Sequence, residues 1–279
     1  LEGGVKVLVT GSAGFIGANL MRLLGARGVP FDRHLGQDVM SAEIEEEVAQ
    51  VDAVVHLAAA TGVEESVRNP TESLDNVDGV LSVLEACRRS GVPVALASTA
   101  GALAGLPRSP YAASKLAAEA YCHAYRESYG VMTTVLRLGN VYGPYSAHKR
   151  SFIAALCRAA RDGAPFELYG SGLQRRDFVF VGDVCQGILA ALEARVPGTF
   201  NLASGRLKRL DTVMAMVEEI SGRRVIQVWK EQRQGEADPT IGIDISAATD
   251  AFGYRPSTPL ADGLRQTWDW FAAQPAWTF

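Results

Sequence analysis

Three glycines spaced by two residues, Gly11, Gly14 and Gly17, follow the first apolar run of this chain, Val5–Thr10, and lead straight into a helical pattern. Strand, then glycines, then helix is the context that gives such a spacing meaning. The first glycine permits a tight turn, the second lets backbone approach a bound group, and the third lets helix and strand pack closely. A helix start also presents N–H groups that no earlier turn can satisfy, and these favour an anion. The loop therefore predicts a pyrophosphate site, with Gly11, Gly14, Phe15, Ile16 and Gly17 around a dinucleotide.

Short apolar runs alternate with helical patterns through the first half. Val5–Thr10, Ala53–Ala58, Val94–Ala97 and Thr133–Leu138 read as strands; Ala18–Ala26, Asn76–Arg89 and Ala112–Tyr129 read as helices. This alternation predicts an α/β fold, a Rossmann-type doubly wound parallel sheet. After Gly143–Pro144 the strands shorten and Gly/Pro punctuation thickens, with helices expected over Phe152–Arg161, Val184–Ala194 and Thr212–Ser221. A last helix after Pro259 puts Leu260, Leu264, Trp268 and Phe271 on one face. The expected division is residues 1–143, with returning segments near 177–205, as the cofactor domain. Residues 144–279 would be mainly a smaller C-terminal α/β substrate lobe, with a substrate cleft between the two.

The formal net charge of −4 offers no basic field to gather nucleic acid, so an anionic ligand must be held by a few placed arginines and backbone amides. Cys87, Cys122, Cys157 and Cys185 sit in helix-like stretches without a C-x-x-C pair, which reads as buried thiols in a reducing compartment. Four scattered histidines with no H-E-x-x-H suggest no metal. No apolar run is long enough to span a bilayer, and the first strand begins too early to leave room for a leader peptide. The expectation is a cytoplasmic protein with no membrane and no nucleic-acid partner.

Two Y-x-x-x-K matches occur, Tyr111–Lys115 and Tyr145–Lys149, so spacing alone decides nothing. Tyr145 lies in a loop, whereas Tyr111 opens an amphipathic helix shortly after a strand ending in Ser98–Thr99. On a helix, positions i and i+4 share a face, which sets the Lys115 ammonium near the Tyr111 phenol. A positive neighbour favours phenolate and is expected to lower the phenol pKa. The pair becomes a base that takes a hydroxyl proton as hydride leaves the same carbon. Thr99 would hydrogen-bond the same oxygen. Thr99, Tyr111 and Lys115 are thus the candidate catalytic residues, against the plainer alternative of an exposed Tyr and Lys at a helix start.

The G-x-x-G-x-x-G loop within Val9–Gly17 resembles the short-chain dehydrogenases/reductases, in the extended branch that includes sugar-nucleotide epimerases and dehydratases. Further segments carry the resemblance along nearly the whole chain. His56–Leu57–Ala58–Ala59 looks like the strand end beside the cofactor, and Ser66, Pro70 and Asn76-x-x-Gly79 like the next helix and its entry. Pro110–Lys115 matches the catalytic motif, and Arg137–Pro144 the segment joining the lobes. Gln174–Val179 matches the segment carrying a diphosphate-binding arginine, here Arg176, and Asn201–Gly205 is another landmark. Arg233–Glu236 resembles an element whose Arg233 would contact diphosphate and Glu236 the nucleoside ribose. The resemblance implies NAD held also by Leu57, Ala58, Ala59, Tyr111 and Lys115. Substrate contacts would come from Thr99, Asn140, Arg176, Arg233 and Glu236, the substrate being a nucleotide-diphosphate sugar with a UDP-sugar favoured. It also implies a homodimer through the helices Asn76–Arg89 and Ala112–Tyr129.

Three departures qualify this. The segment Gly28–Val39 is short for the family, yet must supply the second strand, its acidic ribose contact and the start of the third strand. Asp32 is the candidate for the 2′-hydroxyl, which favours NAD; Arg33 follows directly and could hold a 2′-phosphate, which keeps NADP open. Asp38–Val39 resembles the adenine-contacting pair. The loop Leu106–Ser109 is also short. Finally, the 4,6-dehydratases follow the equivalent of Thr99 with an Asp-Glu pair, whereas here stand Ala100 and Gly101, which move no proton. A UDP-sugar 4-epimerase, UDP-glucose 4-epimerase-like, is expected. The alternatives are a dehydratase of another type, such as 5,6-elimination, or a decarboxylase. For elimination, Tyr111, Glu119 or Cys122 would move the proton, although Glu119 and Cys122 are expected on helix-packing or dimer surfaces. An NADP-dependent ketoreductase and a non-catalytic cofactor-binding protein are minor alternatives.

Overall fold

A computed structural model describes residues 5–101, 106–231 and 242–275. The chain begins β1 (Val7–Thr10), α1 (Phe15–Leu24), β2 (Gly28–Phe31), α2 (Glu43–Val48), β3 (Ala53–His56), α3 (Val63–Arg68) and α4 (Glu72–Ser90). It continues β4 (Val94–Thr99), α5 (Pro110–Tyr129), β5 (Thr133–Leu138), β6 (Asn140–Tyr142), α6 (Phe152–Asp162), β7 (Phe166–Tyr169), β8 (Arg175–Phe180) and α7 (Val181–Ala194). It ends β9 (Gly198–Leu202), β10 (Leu207–Arg209), α8 (Leu210–Ser221), β11 (Gln227–Lys230), α9 (Ser246–Phe252) and α10 (Leu260–Ala272).

Two compact units result. One holds the described residues of Leu1–Leu138, Cys185–Leu202 and Ile245–Tyr254; the other those of Gly139–Val184, Ala203–Asp244 and Arg255–Phe279. The first unit contains a parallel sheet in the order β2-β1-β3-β4-β5-β9. The order reverses at β1, so right-handed crossovers place the helix after β1 and the helices after β3 on opposite faces. The strands read as continuous apolar runs because both faces are covered. Leu8, Val54, Leu96 and Val135 from the sheet meet Ile44, Val48, Val80, Leu84 and Ala118 from α2, α4 and α5 in one buried cluster. That face fixes where α5 lies, and α5 carries the candidate catalytic pair.

The second unit has a three-stranded sheet, β10-β8-β6, and a two-stranded one, β11-β7. Its organiser is Asp177, 1% exposed. The Asp177 carboxylate accepts from Ser204 N, Ser204 Oγ and Ile243 N, and its carbonyl from Asn140 Nδ2. Three segments that look unrelated in sequence are thereby tied to one buried residue, two through its side chain and one through its backbone carbonyl.

Three expectations need correction. The first helix starts at Phe15, not Ala18, because the helix begins inside the glycine loop and Gly17 is one of its buried residues. No third strand starts within 28–39. Asp32 instead caps a short 3-10 turn, Arg33–Leu35, which Gly36 closes at φ +81, and the next strand is Ala53–His56. Glu119 does not face a helix-packing or dimer surface: it is 8% exposed and turned towards β4 and β5, where Ser98 and Arg137 hold it. The four cysteines are free and buried. Among the described residues no helix is long and apolar enough to cross a membrane, and no cluster of His, Cys, Asp and Glu is placed to hold a metal.

Candidate active site

The glycine loop is built of backbone. Gly11 has φ +71, a conformation that L side chains avoid, and a Cβ there would lie 2.7 Å from Ala58 N at the end of β3. A Cβ on Gly17 would lie 2.1 Å from Gly11 O, so the third glycine lets the helix close onto its own entry turn. Gly14 caps α1 with no side-chain hydrogen bond. The first-turn N–H groups of Phe15, Ile16 and Gly17 therefore have no side-chain cap, and they suit a pyrophosphate.

Asp32 stands at the end of β2, 8% exposed, accepting from Ala13 N at 2.9 Å and from His34 N at 2.9 Å. A carboxylate has about four acceptor positions, so two remain for a ribose diol. Arg33 pairs with Asp38 at 3.1 Å on the surface. Val39 packs near Gly79, and its carbonyl accepts from Ser82 Oγ at 2.6 Å, which anchors the 38–39 turn on α4. Leu57, Ala58 and Ala59 follow β3 with part-exposed side chains, and Ala58 N donates to Thr10 Oγ1. These residues fit a dinucleotide, with an acid rather than a free arginine at the ribose position.

The chemical corner is built of side chains. Ser109 caps α5 by accepting from Ala112 N, and Pro110 occupies the first turn, so the short preceding loop still delivers Tyr111 to the helix start. Thr99 ends β4, and its Oγ1 accepts from Gly101 N at 3.2 Å, which leaves its hydroxyl proton for a substrate oxygen. Lys115 is 4% exposed and donates from Nζ to Ala97 O at 3.0 Å. Burial pushes Lys115 down to about 8. Tyr111 departs from expectation: its phenol is not a partner of the Lys115 ammonium, and burial pushes it up to about 12. Burial disfavours the charged phenolate and is the cause of the rise.

Other residues shape the corner through contacts that the sequence does not show. Asn76 of α4 accepts from Ala60 N at 2.7 Å and donates to Ala60 O and Ser114 Oγ, joining the loop after β3 to α5. His56, 2% exposed, shares a 2.8 Å hydrogen bond with Thr10 Oγ1, and burial followed by the Lys115 charge pushes it down to about 3. Glu119 accepts from Ser98 Oγ at 2.5 Å and from Arg137 at 2.5–3.1 Å, so it is no free acid or base. Cys122 is a buried thiol pushed up to about 12. Neither suits the elimination role considered for it.

In the second unit, Asn140 is exposed at the start of β6, and Arg176 lies on β8 beside Asp177 with Nη1 donating to Arg175 O. Arg233 and Glu236 lie outside the described residues.

Comparison with known proteins gives this geometry a setting. Residues 7–203 match the model of the NAD dependent epimerase/dehydratase family. A UDP-glucose 4-epimerase of Thermus thermophilus, solved in complex with NAD, superimposes with a TM-score of 0.88 at 32% identity over 96% of this chain and 99% of that one. A dTDP-glucose 4,6-dehydratase of Mycolicibacterium smegmatis is 30% identical over 98% of this chain and 95% of its own. A NAD-dependent NDP-hexosamine 5,6-dehydratase of tunicamycin biosynthesis has a TM-score of 0.88 at 28% identity over 98% and 99% of the two chains.

Proposed function

This chain belongs to the NAD-dependent epimerase/dehydratase family, and from that membership we propose that it is a nucleotide-sugar 4-epimerase acting on a UDP-sugar. It is an NAD-dependent enzyme of the extended short-chain dehydrogenase/reductase type.

The reading rests on what stands beside Thr99. Ala100 and Gly101 follow it, and neither moves a proton, so the groups at hand are Thr99, Tyr111 and Lys115. Those three suffice for oxidation and reduction at one carbon. Bound NAD supplies a reversible hydride acceptor. Thr99 Oγ1 donates to the 4-oxygen of the sugar and orients it. Tyr111 takes the 4-hydroxyl proton at its phenol oxygen as the ketone forms. Burial holds the phenol high, and this reading requires Lys115, one turn further along α5, to bring its charge to the phenol when substrate binds. The 4-keto sugar turns over, and Tyr111 returns the proton to the 4-oxygen on the other face. Asp32 holds the adenosine ribose, with Asp38 and Val39 beside the adenine. Arg176 and Arg233 hold the diphosphate as forked donors, Asn140 contacts the substrate, and Glu236 takes the nucleoside ribose. The first unit thus carries cofactor chemistry and the second the nucleotide part of the substrate.

A homodimer through α4 and α5 accompanies this reading, supported by Leu74, Tyr121 and Tyr129, which are large, apolar and exposed on those helices. Sedimentation velocity tests it. A cytoplasmic setting is supported by the four free, buried thiols.

The deciding experiment incubates the protein with UDP- and dTDP-hexoses and no added cofactor, following products by NMR. Interconversion at C4 is the expected result. An alkene would establish the second reading, 5,6-elimination, which the likeness to the hexosamine dehydratase favours: the same transient 4-ketone acidifies C5, and the C5 proton and C6 hydroxyl leave as water. Loss of carbon dioxide from a UDP-uronate would establish decarboxylation. No turnover after reloading with NAD overturns the catalytic reading for these sugars.

A further inference from the structure

We propose that Glu119 and Arg137 are positioning residues, a buried ion pair that sets both the placement of Lys115 against β4 and its charge. The inference rests on the reading of Tyr111 and Lys115 as the reacting pair.

Tyr111, Lys115 and Glu119 are four residues apart on α5 and share its sheet-facing side. Two of them, Lys115 and Glu119, bond to consecutive residues near the end of β4. Lys115 Nζ donates to Ala97 O at 3.0 Å, Ser98 Oγ donates to Glu119 Oε1 at 2.5 Å, and the next residue is Thr99. Two consecutive bonds therefore lock the register of α5 on the strand that ends in the substrate-facing hydroxyl. Arg137 sits directly opposite Ser98 on β5 and grips the carboxylate with a fork, Nε to Oε1 at 2.9 Å and Nη2 to Oε2 at 2.5 Å. The side chains of Glu119 and Arg137 are 8% and 22% exposed.

A buried ion pair is a poor stabilising device, since its desolvation offsets its attraction and apolar residues of similar size serve as well. The location of this pair points to a different use. The ionisable groups that reach Lys115 are Cys122 and Glu119 from its own helix and His56 from β3. Cys122 is pushed up to about 12 and is a neutral thiol when Lys115 titrates; Cys87, which faces Cys122 from α4, is likewise pushed up to about 12. His56, pushed down to about 3, is a neutral imidazole. On α3, Glu64 and Arg68 pair with each other at the surface. Glu119 is left as the charge that favours the ammonium against burial, and Arg137 tempers how strongly it does so.

The chain has few lysines, Lys6, Lys115, Lys149, Lys208 and Lys230, so NMR of the holoenzyme carrying isotopically labelled lysine resolves Lys115, assigned by its loss in Lys115→Met. Glu119→Gln should lower the Lys115 midpoint by about one pH unit, and Arg137→Gln should raise it by about as much. Midpoints that do not move, or that move the same way in both variants, overturn the electrostatic half. The double variant Glu119→Met/Arg137→Met removes both charges at little cost in stability and stays testable where a single variant fails to fold. There the Lys115 midpoint should stay near the parent value, while kcat falls roughly tenfold or more with KM unchanged. A parental kcat in a folded double variant overturns the positioning half. The titration needs no substrate, so a failed epimerase reading and a failed network are told apart.

Discussion

Around Gly11–Gly17 the molecule works with backbone, and around β4 and α5 it works with side chains. The glycine loop offers amides, holds its shape through the absence of Cβ atoms, and has no side-chain cap at its helix start. The chemical corner is the reverse. Lys115, Ser98, Glu119 and His56 are all less than a tenth exposed, and each is bound to another side chain or to a strand carbonyl. A backbone site tolerates almost any surrounding sequence and fails by steric intrusion. A side-chain site fails by loss of a single group, and it carries electrostatic cost while intact.

The largest expected difference between the two is in turnover. Tyr111→Phe removes the proposed proton-transfer group from a cofactor site it leaves intact. Activity should fall by about 10²–10⁴-fold, the usual contribution of a general base, while NAD stays bound. Product NMR and the cofactor content of the purified variant check both halves. Parental turnover would remove Tyr111 from the mechanism.

The electrostatic cost appears as acid sensitivity. His56 is held at about 3 against an ordinary 6.5, so the unfolded chain binds its proton first as pH falls. Its contribution to stability is whole above about pH 6.5 and is lost progressively towards pH 3. At 1.36 kcal/mol per unit, the loss across that window is on the order of 5 kcal/mol. His56→Asn keeps a polar partner for Thr10 and removes the titration. Urea unfolding near neutrality and at about pH 4 should show a shallower pH dependence in the variant. Equal dependence would mean that His56 is not what the acid attacks.

The backbone site breaks differently. Gly17→Ala puts a methyl into Gly11 O, where neither atom has room to move, and should cost about 1–3 kcal/mol and release NAD. Gly25→Ala is the matched control. Its φ of +56 makes alanine strained, but nothing lies within 4 Å, so about 1 kcal/mol of stability should go and the cofactor should stay. Thermal melts with cofactor counts separate strain from intrusion. Loss of NAD in both variants would refute the distinction.

Legibility in the sequence follows the same division. The glycine loop was readable because its signal is local, and only the helix start was misplaced, since Gly14 and Gly17 carry no apolar periodicity. What stayed hidden was non-local: Gly11 is needed as much by Ala58, 47 residues on, as by its own turn. The third strand expected within 28–39 failed for a similar reason, because Asp32 is spent on capping and on Ala13 N of the glycine loop. Tyr111 and Lys115 are picked out in the sequence by their place on a helix that follows a strand, but their depth is not legible there, so the expected direction of the phenol pKa is the wrong one. The helical period leaves the face of Glu119 open, and the expected packing or dimer surface is wrong because Ser98 and Arg137 turn it to the sheet. A signal was present in Arg137, a lone charge inside the apolar run Thr133–Leu138, because a charge in a buried strand demands a counter-charge.

The smallest expected effect tests the boundary between the two kinds of site, where Arg33 follows Asp32. Arg33 and Asp38 pair with side chains 62% and 41% exposed, and surface pairs of this kind contribute about 0–1 kcal/mol. Arg33→Ala should therefore change stability by less than about 0.5 kcal/mol. NAD retention should not change either, because the proposed ribose contact is Asp32 rather than Arg33. Only a 2′-phosphate would miss the guanidinium, and a phosphate would have to draw it away from Asp38 while tolerating the buried Asp32 carboxylate nearby. Competition of NADP against bound NAD, measured by cofactor exchange, should be weak in the parent and no weaker in the variant. Strong NADP binding that disappears in Arg33→Ala would reverse the cofactor assignment. It would show that a side chain, not the strand-end acid, decides what the backbone loop holds.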